Sequence, residues 1–157
     1  MNSDFLKKLE RLREKIPETL RRLPGIAKVE GLRFIHDNFD KQGFEERDGV
    51  VKKWKSRKNA SRKNLGRAVT VAGERKGRNL LIATGAMRRS WDADSSAGID
   101  STTFASSLPY AGVHNDGLEA GRPPGFMMPE RKMIGDSEAL FGRIEQKFDK
   151  LVDKEMN

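Results

Sequence analysis

Ser107-Leu108-Pro109-Tyr110-Ala111-Gly112-Val113-His114-Asn115-Asp116-Gly117 is the stretch around which this chain is organised. Pro109 has no amide hydrogen and suits the first turn of a helix. Tyr110, Val113 and His114 stand at i, i+3 and i+4, so they share a face. Gly117 can take the left-handed conformation that closes a helix. The spacing predicts a short helix from Pro109, stopped at Gly117.

Downstream, Gly121 to Gly125 with Pro123 and Pro124 reads as a loop. A final helix follows, capped by Asp136 or Ser137, with Leu140, Ile144, Phe148, Leu151 and Val152 as its apolar face. Upstream, Ile99 to Ser106 contains Thr102, Thr103 and Phe104 and reads as a strand, with a hairpin turn at Ser95 to Gly98. Ser90 to Asp94 alternates, with Trp91 and Ala93 on one face, and also reads as a strand. Ala86 to Arg89 has room for one helical turn. Leu80-Leu81-Ile82 is a short buried run, a strand ended sharply by Thr84-Gly85.

The first part of the chain is helical by period. Phe5, Leu9, Leu12, Ile16, Leu20 and Leu23 fall on one face behind a cap at Ser3 or Asp4. Leu23-Pro24-Gly25 breaks this pattern. A second helix runs from about Ile26 to Gln42, with Val29, Leu32, Ile35 and Phe39 inward and Gly43 as its stop. The fold class expected is α+β: N-terminal helices, a small antiparallel sheet with a short helix, and a C-terminal helix packing on the sheet. A chain of 157 residues fits a single domain over 1–157.

Charge is concentrated. The chain carries 31 Lys and Arg against 23 Asp and Glu, a net of +8. Residues 52–78 hold eleven of the cations and one acid, Glu74, a net of +10. Residues 1–51 come to +1 and residues 79–157 to −3. From Arg47 to Arg78 no period persists, and Lys52, Lys53, Lys55, Arg57, Lys58, Arg62, Lys63 and Arg67 are interleaved with Ser, Asn and Gly around one Trp54. This segment, about 47–78, reads as a long mobile loop, with Val69-Thr70-Val71 as one short strand. It suits phosphate contact without base reading, or contact with an acidic protein partner.

Several function classes are excluded. No Cys is present, which removes disulfides, thiolate zinc sites and a cysteine nucleophile. No apolar run approaches the roughly 20 residues of a membrane span, so no membrane partner is expected. The chain opens on charged, helix-like sequence, so no secretion signal is expected. His36 and His114 are the only histidines, too few for a one-metal nuclease of the His-Asn-His kind. His114 and Asn115 read instead as groups that hydrogen-bond the backbone. No Gly-x-Ser-x-Gly elbow or phosphate-binding glycine loop occurs. Asp92 and Asp94, two apart on a strand-like run, face one side as an ordinary surface pair. No enzyme activity, metal or cofactor is expected. Hydrophobic content of 36% beside 34% charged residues is polar for a self-sufficient globule, so either part of the chain is disordered when alone or it buries surface against other copies.

Four pieces in order resemble a known pattern. They are Leu80-Leu81-Ile82-Ala83-Thr84-Gly85-Ala86-Met87-Arg88-Arg89-Ser90, then the Tyr110-Ala111-x-x-His114-x-x-Gly117 element, then Pro129-x-Arg131, then the closing helix after Gly135. Phe39 to Phe44 followed by Trp54 adds a helix end and a Trp-bearing loop. The set resembles the phage virion morphogenesis family, the tail-completion or neck proteins of contractile-tailed and related phages. Met133-Ile134 departs from that pattern, which shows an aromatic there, and Gly121-Arg122-Pro123-Pro124-Gly125 is an unusual approach to Pro129. The resemblance implies that Thr84, Gly85, Tyr110, Ala111, His114, Gly117, Pro129 and Arg131 define the fold rather than a reaction. It implies a structural virion protein at the head–tail junction, assembled in the host cytoplasm as a homo-oligomeric ring, for which a hexamer or a dodecamer would fit. Its partners would be other neck, connector and tail-tube proteins, with possible non-specific DNA contact in the channel. The residues alone leave a second reading open, a non-specific nucleic-acid-binding protein acting through 52–78.

Overall fold

Helix α1, Leu23–Lys41, carries the fold. Residues 17–21 are also helical, and the ladder is interrupted only at Arg22 before Pro24 opens α1 in its first turn. The structure is a computed structural model and describes residues 17–55, 80–82 and 84–156. The stripe from Phe5 to Ile16 and its cap lie outside these. Helix α1 ends at Gln42, whose left-handed backbone (φ 52°) lets its amide reach the Asn38 and Phe39 carbonyls. Gly43, expected as the stop, instead opens strand β1. A side chain there would meet the Lys52 carbonyl and Val51 Cγ1 at 2.7 Å.

Strand β1, Gly43–Arg47, pairs antiparallel with β2, Val50–Lys53, across a turn with Gly49 at φ 74°. The register is Gly43↔Lys53, Phe44↔Lys52 and Glu45↔Val51, with a bulge before Arg47↔Val50. The loop expected from about 47 to 78 therefore begins with a strand. Lys52 and Lys53 lie on β2, and the apolar–polar alternation that signals a strand is missing because β2 is mostly exposed. Arg57, Lys58, Arg62, Lys63, Arg67 and the run Val69 to Val71 lie outside the described residues.

Helix α2, Ala86–Asp94, replaces the strand expected at 90–94. Its four-residue spacing buries Met87 and Trp91 together and leaves Ala93 exposed. Asp92 and Asp94 consequently diverge. Thr84-Gly85 starts this helix rather than ending a strand: Gly85 (φ 71°) is its cap, and Thr84 Oγ1 accepts the Ala86 amide at 3.3 Å. Leu80, Leu81 and Ile82 are partly buried against the core, but in a turn. Strands β3, Ser96–Ala97, and β4, Thr102–Thr103, form a second ribbon, so the turn lies at 98–101 rather than 95–98. Helix α3, Pro109–Asp116, follows the spacing, with Gly117 at φ 68° as its cap. Strands β5, Glu119–Ala120, and β6, Phe126–Met127, flank the Gly121–Gly125 loop as a third ribbon. Helix α4, Glu138–Met156, is capped by Ser137, whose Oγ accepts the Leu140 amide at 3.2 Å. The chain is α+β, and among the described residues its antiparallel part is three separate two-stranded ribbons.

Helix α1 separates two apolar clusters. On one side Ile35 and Phe39 meet Trp54, Met87, Trp91, Ala111 and Met133. On the other Phe34 meets Phe44, Ala139 and Leu140, where α4 packs against α1 and β1. Phe34–Phe44 and Phe39–Trp54 are both edge-to-face pairs with centroids 5.6 Å apart. Met133, standing where the family pattern shows an aromatic, is fully buried in the first cluster. Gly31 belongs to a third contact: a Cβ there would lie 2.1 Å from Phe104 Cζ.

Between α1, β1 and α4 sits a charged cluster. The Glu45 carboxylate is almost wholly buried and accepts from Lys41 Nζ (2.8 Å), Arg143 Nη2 (2.6 Å) and the Gly49 amide (3.3 Å). Arg143 also binds Asp37 at 2.6 Å. Burial by itself raises the Glu45 pKa. The Lys41 hydrogen bond and charge, the Gly49 amide and the Arg143 charge outweigh it and hold the group below its ordinary 4.5.

Two predictions follow from this packing. Gly31→Ala would raise the stability of an unconstrained helix by about 1 kcal/mol. Here Phe104 must move, so urea unfolding is expected to show a loss of about 1–2 kcal/mol. Glu45→Gln leaves Lys41 and Arg143 without their shared carboxylate and should cost about 3 kcal/mol at pH 7. Because folding lowers the Glu45 pKa, its contribution is complete above 4.5 and is lost as pH falls through the lowered folded value. The stability gap between the natural protein and Glu45→Gln should therefore narrow below pH 4.5, and a gap constant with pH would contradict the assignment.

Candidate functional site

Two pieces of the ordered motif converge on one brace. The Arg131 amide donates to the His114 carbonyl at 2.7 Å, which lays 128–131 along the end of α3. The buried Arg131 guanidinium donates through Nη1 to His114 Nδ1 at 3.2 Å and through Nε to the Lys55 carbonyl at 3.2 Å. Gly117 closes against the same segment: a Cβ there would come within 3.1 Å of the Glu130 amide nitrogen. Its positive φ and this approach both require glycine. Asn115 Oδ1 accepts the Met133 and Ile134 amides at 2.8 and 3.1 Å, so Asn115 hydrogen-bonds the backbone as expected. Ala111 fills the core at 1% exposure, and Pro129 is partly buried between these contacts. Tyr110, on the face it shares with Val113 and His114, is 44% exposed, while α3 turns Ala111 toward the core. Thr84 and Gly85 stay apart from the brace, at the start of α2.

The brace holds one foot of the basic segment, and Gln42 holds both. Trp54, the residue at which the segment leaves β2, donates its amide to the Gln42 carbonyl (2.9 Å) and its indole Nε1 to the Lys132 carbonyl (2.9 Å). At the return, the Gln42 side chain accepts the Leu80 amide and donates to the Leu80 carbonyl (3.3 Å) and the Phe39 carbonyl (2.6 Å). The chain between Lys55 and Leu80 thus starts and ends on one residue at the tip of α1. Lys52, Lys53 and Lys55 are exposed there, with Lys53 Nζ also donating to the Lys41 carbonyl at 2.6 Å. This arrangement presents cations on an anchored base and suits an anionic surface.

A second polar constellation joins α1 to α2. Arg88 donates through Nε to His36 Nδ1 and through Nη1 and Nη2 to both Asp40 oxygens at 2.8 and 3.0 Å. Arginine can only donate, so Nδ1 is an acceptor and His36 donates through Nε2 to Asp92 at 2.8 Å. Both ring nitrogens are engaged, which leaves neither free to take a proton from a substrate. Among the described residues no group of three or more His, Cys, Asp or Glu is placed to hold a metal ion.

The sequence reading missed Gln42, Asn38 and the His36–Asp92 pair. Their long-range partners, Leu80, Met133 and each other across the His36–Asp92 pair, lie 38 to 95 residues away, and no local period marks them. Only the Gln42-Gly43 end of a strong helical pattern hinted at a special backbone. Comparison with protein-family models, curated proteins and solved structures gives no match to this chain.

His114→Ala and Arg131→Ala should each destabilise the fold by about 1–2 kcal/mol. Since the two side chains act on each other, the double variant should lose less than the sum. Chemical denaturation of the four proteins measures this, and strict additivity would break the brace apart.

Proposed function

We propose that the chain is a structural, non-enzymatic subunit of a tailed-phage virion, acting in tail completion or at the neck as a ring-forming protein. The observation that carries this reading is the brace. The residues that resemble the virion morphogenesis pattern from Tyr110 to Arg131 gather into hydrogen bonds that hold backbone, and they support the exposed lysines at 52–55. Such an arrangement favours scaffold and surface over chemistry. In this reading the basic segment faces an anionic partner, either the DNA passing through the ring or an acidic protein ring above or below it. The protein would reside at the head–tail junction of the particle.

The exposure of Lys52, Lys53 and Lys55 supports a second reading, non-specific nucleic-acid binding outside any particle. The two separate cleanly. Purified particles should contain the protein, and electron microscopy of the isolated chain at high concentration should show closed rings. Absence from mature particles would overturn the virion reading. Binding to duplex DNA should weaken steeply with salt, with a log–log slope of about −0.9 for each phosphate neutralised. Replacing Lys52, Lys53, Arg57, Lys58, Arg62 and Lys63 by Gln should flatten that slope. An unchanged slope would place DNA contact elsewhere.

A further inference from the structure

Helix α4 carries its apolar stripe past the point where it leaves the core. Ala139, Leu140 and Ile144 pack in the cluster around Phe34. Phe148, Leu151 and Val152 join neither apolar cluster of the described residues, and Phe141 is 60% exposed. Phe141, Phe148 and Val152 stand at i, i+7 and i+11, so they line one side of the helix. Exposed Glu145 and Asp149 follow on one edge of that line, and exposed Lys147 and Lys150 lie beyond the other.

A matching stripe precedes α1 in the sequence. Phe5, Leu12 and Ile16 have the same spacing, i, i+7 and i+11, with Leu9 between them. The stripe keeps helical phase into the described residues at Leu20, which is 48% exposed. Lys8 and Lys15 flank it on one edge, Glu10 and Glu14 on the other.

Folded back as a helix, this stripe would fall short of Phe141 in its own chain. Ser137 Oγ donates to the Glu45 carbonyl, just past the end of α1, and Arg143 pairs with Asp37, so α4 runs back along α1. From that pair, Met156 lies about 20 Å along α4 and Leu23 about 21 Å back along α1, so the two helices end level. Residues 17–21 are helical beyond that level. A helix reversing at Pro17 would retrace residues 17–22 with residues 11–16. Residues 1–10 would remain, about 15 Å of helix, whereas Phe141 lies about 22 Å from the end of α4.

We infer that the N-terminal stripe of one copy docks on the α4 stripe of a second copy, the two running the same way, with Phe5 beside Phe141, Leu12 beside Phe148 and Ile16 beside Val152. This inference rests on the ring reading and names its interface. Flanking side chains of two helices that run the same way meet crosswise, which sets Lys8 and Lys15 toward Glu145 and Asp149. Helices running opposite ways would set those lysines toward Lys147 and Lys150. Donor and acceptor are different surfaces of one chain, so the contact is head-to-tail and closes into a ring by rotation.

The test uses the full chain, whose lack of cysteine makes introduced thiols unambiguous. An equal mixture of Leu12→Cys and Phe148→Cys chains, oxidised and run without reductant, should give a cross-linked dimer, and neither variant alone should. The chain bearing both changes should give a ladder of multiples. Light scattering should find the natural protein oligomeric and Phe141→Asp, changed at an exposed site, monomeric with an unchanged thermal melt. Lys8→Glu with Lys15→Glu, and Glu145→Lys with Asp149→Lys, should each weaken assembly at low salt, and the chain carrying all four should recover it. In an oligomeric protein, three results would overturn this interface and leave the ring reading standing. They are no cross-link in the mixture, Phe148→Cys chains cross-linking to each other, and the double-cysteine chain closing within itself. A natural protein that is monomeric at high concentration would overturn both.

Discussion

Asn38 is the constraint on which the rest of the structure depends. Its side chain is completely buried on α1, where an unpaired amide would cost about 1–3 kcal/mol. It is satisfied in both senses: Oδ1 accepts the Glu45 amide at 3.1 Å, and Nδ2 donates to the Met133 carbonyl at 3.0 Å. One side chain therefore sets where β1 leaves the helix and where the 131–134 segment crosses it. Asn115 repeats the device from the other direction by accepting the Met133 and Ile134 amides. Residues 131–134 belong to no strand, and these two amides hold them in place. Apolar contacts alone are non-directional and would leave the crossing free to slide.

The electrostatics divide by depth. The buried Glu45 cluster joins α1, β1 and α4, and its charges are compensated within a few ångström. The exposed excess sits on a base that is itself tied down, at Trp54 and at Leu80, by hydrogen bonds to Gln42. A concentration of cations repels itself, and an anchored base keeps that repulsion from opening the core. The charge of +8 is thus a property of one segment and its anchored ends, with the flanks near neutral.

Parts of this arrangement were legible in the chain before any coordinates. Helix α3 with its Gly117 stop, the break before α1 and the Ser137 cap of α4 all follow from local rules. The errors have a common source. Ser90 to Asp94 alternates over too few residues to separate a strand from a helix, and burial of Trp91 with Met87 decided for the helix. Val50 to Lys53 shows no alternation because its lysines are exposed, and it is a strand only because β1 lies beside it. Gly43 reads as a helix stop, but Gln42 takes the left-handed conformation because its side chain has Leu80 and Phe39 to bind. Of the site, Tyr110 to Gly117 and Arg131 could be named in advance, but not that His114, Arg131 and Lys55 meet.

Order along the chain dictated helices α1, α3 and α4, the Gly117 and Ser137 caps, the segregation of charge into one segment and the lack of cysteine chemistry. These depend on neighbours within a turn or on composition, so they can be read from residues alone. Contacts across the fold decided the rest: three ribbons among the described residues where one sheet was expected, the brace at Arg131, the Gln42 clasp and the pairing of His36 with Asp92. Each joins groups dozens of residues apart through directional hydrogen bonds. Such bonds are worth forming only where packing has already removed water, and that condition exists only in the folded chain.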